Sequence, residues 1–561
     1  MMMVLRFLFP LLLLLYASVT AAAQPRVLDA EQEMLRSQLD PLSQGAELFV
    51  GEARIASGLT LLRLYERHNF GRLWTRSGAI EEITALAAAM YEHGLDPADY
   101  HHAELVRCRA LLAAAAPAPA RQRILLDILA TDALLRMAYH IHFGKVVPRD
   151  LDPNWNFDRR IRSADLLDTL EGLVAAPSLA EPLFTVTRKA FFYQGLKAAL
   201  ARYRQIAEQG GWPAIPGGPA LKPGMQDRRI PLLRQRLTAT GDLAEDPPPA
   251  DPLRFDTELE QAVRSFQARH QLEVDGVVGR GTLQAMNVPV AARIDQIRVN
   301  LERLRWIYRE LDDTFFVADI AGFHVYFVRD GRLVWDARAQ VGRAFRETPV
   351  FRANMTYLEF NPTWTVPPGI LRKDILPALR KDPGYLQAKR LRVLDRDGNE
   401  VDPAGIDWTA VSANGFPYLL RQDPGPDNAL GRVKFMFPNK HLVYIHDTPN
   451  RNLFEKPHRA FSSGCIRIER PFELAELVLD RPQEWNRQRF EEILATGKTQ
   501  TVLLHEPVPV LLLYFTVESD PAGRVRFRED LYGRDQRVLA ALDGDFMFVA
   551  PDGFDRLLDD R

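Results

Sequence analysis

The chain has 561 residues, enough for about three domains at ~100–200 residues each. Its 71 Lys and Arg against 73 Asp and Glu exclude a global basic field for nucleic acid, and 47% apolar residues exclude a mainly disordered polymer. Two cysteines, Cys108 and Cys465, build neither a disulfide scaffold nor a structural zinc ribbon, and no metal motif or cofactor loop is found.

Residues 1–23 read as a targeting segment. Arg6 supplies one positive charge, Phe7–Tyr16 is apolar, and Ala21-Ala22-Ala23 offers the small residues of a cleavage site. The run Phe7–Ala23 sits at the lower limit for a spanning helix and is broken by Pro10. Two readings stand: a cleaved signal peptide, or an anchor in the inner membrane through residues 7–23. Both export the remainder, to the periplasm, and leave the membrane as a partner only through an uncleaved N-terminus. Export permits disulfides, yet Cys465 is expected as a free thiol, for reasons given below. Cys108, between Arg107 and Arg109, reads as a packed or idle residue.

Residues 28–205 carry apolar residues at helix spacing in Leu61–Tyr65, Ile80–Tyr91, Ile124–Tyr139 and Leu166–Leu173, which predicts a helical domain. Phe70, Trp74, Trp155 and Phe157 are expected in its core. His140 and His142 point to different faces of one helix and make poor metal partners. After a Pro/Gly-rich linker, Gly210–Gly224, residues 228–290 form a small three-helix unit. Thr257 and Glu260 fit a capping box there, Leu259, Ala262, Val263 and Phe266 form one apolar stripe, and Asp275-Gly276 marks a turn. Asp246–Pro252 is a Pro-rich loop within it.

Residues 295–540 are expected as a third, β-rich unit, leaving 541–561 as a C-terminal tail. A helix through Ile294, Ile297, Leu301, Leu304 and Tyr308 leads in. Phe323–Arg329 and Arg332–Gln340 flank Asp330-Gly331, a hairpin signal. Further strands are predicted at Met355–Phe360, Val433–Phe437, Val443–His446, Thr501–Leu504 and Val510–Val517, and helices at Ile370–Arg380 and Pro471–Leu479. Residues 384–432 are loop-rich and read as a lid insertion, which Trp408 and Tyr418 either line or anchor. The fold class is multidomain α+β.

The chemistry concentrates in Tyr444–Arg470. His446 ends a predicted strand, and Cys465 follows Ser462-Ser463-Gly464. Small residues before a cysteine let the backbone turn sharply and offer N–H groups to a substrate oxygen. A thiol beside an imidazole is a nucleophile, with the imidazole acting as base or holding an ion pair. Arg467 either holds a carboxylate or makes a structural ion pair. His441 and His458 read as ordinary loop or strand residues. No Ser-x-x-Lys occurs, which disfavours a serine acyltransferase. Gly497-Lys498-Thr499 fails as a phosphate loop because Glu492 stands where glycine is needed.

Ile445-His446-Asp447-Thr448 with Ser462-Ser463-Gly464-Cys465-Ile466-Arg467 resembles the L,D-transpeptidase catalytic domain. The departure is Ser463, where many members carry a second histidine. Val341-Gly342-Arg343, Thr348-Pro349-Val350, Asn361-Pro362-Thr363-Trp364 and Asn428-Ala429-Leu430-Gly431 resemble its large periplasmic branch. Ala262–Gln267 with Asp275-Gly276 and Thr282 resembles the small peptidoglycan-binding module, and the helical region resembles the branch's scaffold domain. The resemblance implies a thioester acyl-enzyme on Cys465, formed with His446 as base. Gly464 and Cys465 are implied as oxyanion donors, Ser463 and Tyr444 as orienting groups, and Arg467 as a holder of the stem carboxylate. It further implies 3→3 crosslinks between peptidoglycan stem peptides, from a tetrapeptide donor to a diaminopimelate amine. No cofactor is implied, and cell-wall synthesis enzymes are the expected protein partners. Two alternatives stay open: an L,D-carboxypeptidase that trims tetrapeptides, and a non-catalytic peptidoglycan-binding protein.

Overall fold

The computed structural model describes residues 27–546 apart from 116, 158–165, 190, 246–249, 308–310, 383 and 521–523. The expected targeting segment, the first part of the Pro-rich loop, Tyr308 and most of the tail lie outside the described residues. Among those described, no helix is long and apolar enough to cross a membrane.

The first region is helical as its periodicity predicts, from Ala30–Leu39 to Phe191–Glu208, around the long helix Ala120–Phe143. Leu61, Ile83, Met90, Ile128 and Met137 fill its core, and Trp74 and Phe70 pack there with Cys108 at the margin. Both cysteines are free. One short hairpin, Leu48–Val50 with Ala53–Ile55, was not foreseen; three-residue strands carry too little alternation to register. His140 is buried and bonded through Nδ1 to the Tyr100 hydroxyl at 2.7 Å. Trp155 and Phe157 correct the sequence reading. They belong to the core of the β-rich region, where Trp155 meets the Trp306 ring edge-on at 5.4 Å.

Helix Val290–Ile307 joins the two large regions. Glu302, with no exposed side-chain surface, accepts from Val146 N at 2.7 Å, Trp306 Nε1 at 3.0 Å and Arg305 at 2.6 Å. Arg305 reaches on to the His93 carbonyl and the Tyr193 hydroxyl. Gly144, at φ +82°, makes this approach feasible: a Cβ there would lie 2.8 Å from the Trp306 ring and nearer still to Glu302.

The small middle unit has three helices, Ile230–Ala239, Thr257–Arg269 and Arg280–Met286, around Leu233, Phe255, Leu259 and Phe266. The cap sits one residue earlier than the capping box placed it. Asp256 accepts from Leu259 N at 2.9 Å, and Thr257 becomes the first helical residue. Buried Gln267 explains the sequence pattern around it. Its amide donates to Asp275 at 2.7 Å and accepts from Gly276 N at 2.9 Å, pinning the Asp-Gly turn to the helix.

The third region is a nine-stranded sheet: β1 (Phe315–Asp319), β2 (His324–Arg329), β3 (Arg332–Gly342), β4 (Phe351–Phe360), β5 (Val433–Met436), β6 (Ile445–His446), β7 (Ala460–Ser462), β8 (Ile466–Ile468) and β9 (Gln500–Leu513). The order is β7-β3-β8-β6-β5-β4-β9-β1-β2, and β2 also pairs with β3, so the sheet curls back on itself. The Asp330-Gly331 hairpin forms as expected, both residues at positive φ. The strands predicted at Thr501–Leu504 and Val510–Val517 merge into one strand, β9, which shifts register between Leu503 and Val508 and ends at Leu513, while Val517 opens a separate short strand, Val517–Ser519. Pro507 and Pro509 suggest a break; they are tolerated because β1 pairs with β9 only from Val510 onward, leaving one edge open there.

The insertion starts earlier than residue 384. Trp364–Thr365, Leu391–Leu394 and Leu419–Gln422 form a separate three-stranded sheet, and helical segments from Pro368 to Leu379 pack on it. Leu371, Leu376, Val393 and Leu420 make its own small core. Trp408 and Tyr418 pack into that core, so they anchor the insertion. The C-terminal helix Asp535–Leu542 crosses the expected 540/541 boundary and buries Val538 and Leu542 in the scaffold core.

Candidate active site

Strand β7 runs parallel to β3, the chain turns through Ser463 and Gly464 (φ +118°), and β8 then slots between β3 and β6. Strands β6 and β8 are parallel, with Ile445 opposite Ile466 and His446 opposite Arg467. Side chains alternate along strands, so the fully buried Ile445 and Ile466 face the core. Tyr444, His446, Cys465 and Arg467 therefore share the other face. The same register sets Lys434 of β5 beside His446, Glu359 of β4 beside Lys434, and Gln340 of β3 beside Arg467. One polar row thus crosses five strands with His446 at its middle.

The His446 ring is buried and its Nδ1 lies 2.5 Å from the Asp447 carbonyl oxygen. A carbonyl only accepts, so Nδ1 carries the proton and Nε2 keeps its lone pair. Burial, helped by the charges of Arg467 and Lys434, pushes the ring pKa down to about 3, against the pull of the Asp447 and Leu430 carbonyls. Burial also pushes the Cys465 thiol up, opposed by the Tyr444 N–H and hydroxyl and by the positive Arg467 and Lys434. The resting pair is a neutral thiol and a neutral imidazole. Of the two roles left open for His446, this environment suits the base.

The Cys465 sulfur donates to the Leu442 carbonyl at 3.8 Å. Leu442 is 72% exposed and holds φ +55°, a backbone state uncommon for a branched residue and here set beside the nucleophile. Gly464 departs from its expected part. Its N–H is taken by Ser462 Oγ at 3.1 Å, which itself donates to the Cys465 carbonyl at 2.5 Å, so in this conformation Gly464 offers no free oxyanion donor. Ser463 accepts from Arg346 at 2.8 Å. That same guanidinium clasps Asp374 of the insertion with bonds of 2.5 and 2.8 Å. The Tyr444 ring lies 5.6 Å from the His446 ring and has Lys434 Nζ 4.4 Å above it.

Arg467 donates to neutral Gln340 at 3.3 Å, its Nε is buried without a partner, and among the described residues no carboxylate pairs with it. The structural ion pair is thereby set aside. His458 packs edge-on against Phe323 and His441 against Phe351, both outside the row. Sequence reasoning missed Lys434, Gln340, Arg346 and the Asp447 carbonyl. Strand register brings the first two in, and register is invisible before pairing is known. Asp447 alone left a signal, as the residue directly after His446.

Residues 313–504 match the family model for the L,D-transpeptidase catalytic domain, residues 60–200 the model for a scaffold domain, and residues 226–286 the "Putative peptidoglycan binding domain". A Haemophilus influenzae protein described as "Putative L,D-transpeptidase" is 36% identical over 253 residues, 45% of this chain and 50% of the relative. The chain thus spans about half the length of that curated relative. Solved structures also match: an L,D-transpeptidase from Mycobacterium smegmatis (12% identity, 36% of this chain and 58% of that one, TM-score 0.18) and one from Stackebrandtia nassauensis (12%, 52% and 94%, TM-score 0.21). Overlaps that small carry no weight for the fold. In chain order, the chain thus matches the models of a scaffold domain, a peptidoglycan-binding domain and an L,D-transpeptidase catalytic domain.

Proposed function

We propose that this protein is an exported cysteine transpeptidase that joins peptidoglycan stem peptides by 3→3 crosslinks. The observation that carries the reading is the shared face of β6 and β8, which sets a thiol, an imidazole with a free Nε2 and an unpaired guanidinium in adjacent positions. Cys465 Sγ attacks the carbonyl carbon of the third residue of a donor tetrapeptide while His446 Nε2 takes the thiol proton. The peptide C–N bond breaks, the proton passes to the departing D-alanine amine, and a thioester remains. A diaminopimelate side-chain amine then attacks the thioester carbon, giving its proton to His446 and releasing the thiolate, which His446 reprotonates.

Arg467 fits a carboxylate of the donor stem: a buried guanidinium with only an amide oxygen beside it is stabilised by an incoming anion. Tyr444 and Lys434 favour the thiolate as it forms. The N–H of Cys465 remains as a donor to the tetrahedral oxyanion. Water in place of the amine gives a carboxypeptidase, so the partition rests on how well the Trp364–Gln422 insertion excludes it. Incubating purified protein with disaccharide-tetrapeptide and reading products by mass tests the reading. A crosslinked dimer is expected; tripeptide alone points to trimming, and unchanged substrate contradicts enzymatic function.

A further inference from the structure

The turn that carries the nucleophile is only as rigid as its hydrogen bonds, because Gly464, at φ +118°, has no side chain to hold it. Gly464 and Cys465 own four backbone polar groups. Ser462 Oγ takes the Gly464 N–H at 3.1 Å and gives its own proton to the Cys465 carbonyl at 2.5 Å. Thr348 Oγ1 donates to the Gly464 carbonyl at 2.9 Å. The fourth group, the Cys465 N–H, has no partner among the described residues.

Thr348 is fully buried, and its hydroxyl has one proton. That proton goes to Gly464, so the 2.9 Å bond with the Gly342 N–H is one that the hydroxyl accepts. Tyr532 braces the same loop: its hydroxyl donates to the Gly342 carbonyl at 2.7 Å and accepts from the Thr348 N–H at 3.1 Å. A Cβ at Gly342 would collide with the Arg346 carbonyl and lie 2.8 Å from the Thr348 nitrogen, so the loop closes this tightly only on glycine. Tyr532 is itself held. Its ring stacks on Tyr514 at 5.5 Å, and its N–H donates to the Tyr514 hydroxyl at 2.9 Å. It stands beyond residues 313–504, in the segment that leads into the C-terminal helix. Two residues on, Arg534 bonds Asp152 of the scaffold at 3.1 Å and Glu347 of the Thr348 loop at 2.6 Å.

These bonds set the direction of one N–H. A peptide unit is planar and trans, so its C=O and N–H point opposite ways. Turning the Gly464 carbonyl toward Thr348 therefore turns the Cys465 N–H away from it, and removes the flip that glycine otherwise allows. We propose that Thr348, braced by Tyr532, is the positioning residue that aims the Cys465 N–H at the tetrahedral oxyanion, on the reading of Cys465 as an acylated nucleophile. Thr348 acts through the peptide unit, and Tyr532 acts through Thr348.

Two small reagents separate aiming from reactivity. Acetylation of Cys465 by p-nitrophenyl acetate passes through an oxyanion: Sγ bonds the carbonyl carbon, the thiol proton goes to His446, the ester C–O bond breaks and p-nitrophenolate leaves. Alkylation by iodoacetamide displaces iodide and forms no oxyanion. Both rates are read at Cys465 by peptide mapping of the full chain, because Cys108 is also a free thiol. Thr348→Val removes the hydroxyl. It should slow acetylation about 10–100-fold, less than the ~10²–10³-fold of losing a donor outright, while alkylation stays within about twofold of the parent. Tyr532→Phe, one bond further away, should slow acetylation about three- to tenfold, and Thr348→Ser should stay near the parent. With disaccharide-tetrapeptide the loss should fall on kcat, with KM little changed. A Thr348→Val protein acetylated at the parent rate overturns the proposal. So does one whose alkylation falls in proportion, since the thiol itself is then disturbed. If Thr348→Val does not fold, the same comparison on Tyr532→Phe decides. A parent that is acetylated on Cys465 yet leaves disaccharide-tetrapeptide unchanged strikes the proposed reaction and leaves the result for Thr348 standing.

Discussion

The Nδ1–H of His446 donates to the carbonyl oxygen of Asp447, its neighbour in the chain, at 2.5 Å. A backbone acceptor one residue away needs no second side chain to hold the tautomer. It leaves Nε2 as the basic nitrogen whatever stands at position 463, so Ser463 in place of a histidine takes nothing from this arrangement.

The first prediction concerns pH. With the His446 pKa pushed down to about 3 and the Cys465 thiol pushed up, both groups keep one protonation state from pH 5 to pH 8. The rate of acylation should change less than about twofold across that range, measured by stopped-flow with an ester or peptide donor. An imidazole at its ordinary pKa of ~6.5 would lose roughly thirtyfold between pH 8 and pH 5. His446→Ala should instead gain about tenfold per pH unit, as hydroxide replaces the lost base.

Arg467 is expected to act on binding. Arg467→Gln should raise KM for a tetrapeptide donor by about 10–100-fold, the loss of one charge-assisted hydrogen bond in a buried setting, with a smaller effect on kcat. A donor whose carboxylates are amidated should show no difference between the two proteins. An Arg467→Gln protein with unaltered KM for the native donor contradicts the assignment.

Arg346 ties the insertion to the nucleophile loop through Asp374 on one side and Ser463 on the other. Arg346→Ala and Asp374→Asn should each shift products from crosslink toward hydrolysis by a few fold. The double variant should do no worse than either single one, because both remove the same link. Product ratios by liquid chromatography check this, and additive losses would show that the two residues act apart.

Glu302 and Arg305 weld the helix before the sheet to the scaffold. Glu302→Ala leaves a buried guanidinium without its counter-ion and should cost about 3–5 kcal/mol in a denaturant titration. Gly144→Ala should also destabilise, through the positive φ and the crowding against Trp306.

Much of this was legible in the sequence, for physical reasons that differ by element. The Asp330-Gly331 hairpin and helix Pro471–Leu479 were readable because their signals are local. His446 and Cys465 were readable because thiol, imidazole and small residues cluster within a short stretch. The unity of β9 was not, since its two prolines mimic a break and only the missing neighbour strand excuses them. Trp155 was misplaced because periodicity shows that a residue is buried and not beneath which layer. The row from Gln340 to Glu359 depends on the pairing of distant strands.

The central claim is that Cys465 becomes acylated. Intact-protein mass spectrometry after mixing with disaccharide-tetrapeptide should show one adduct equal to the donor less its terminal D-alanine, mapped by digestion to Cys465 and absent from Cys465→Ala. An adduct on any other residue, or a Cys465→Ala protein that still forms product at the parent rate, would contradict the account.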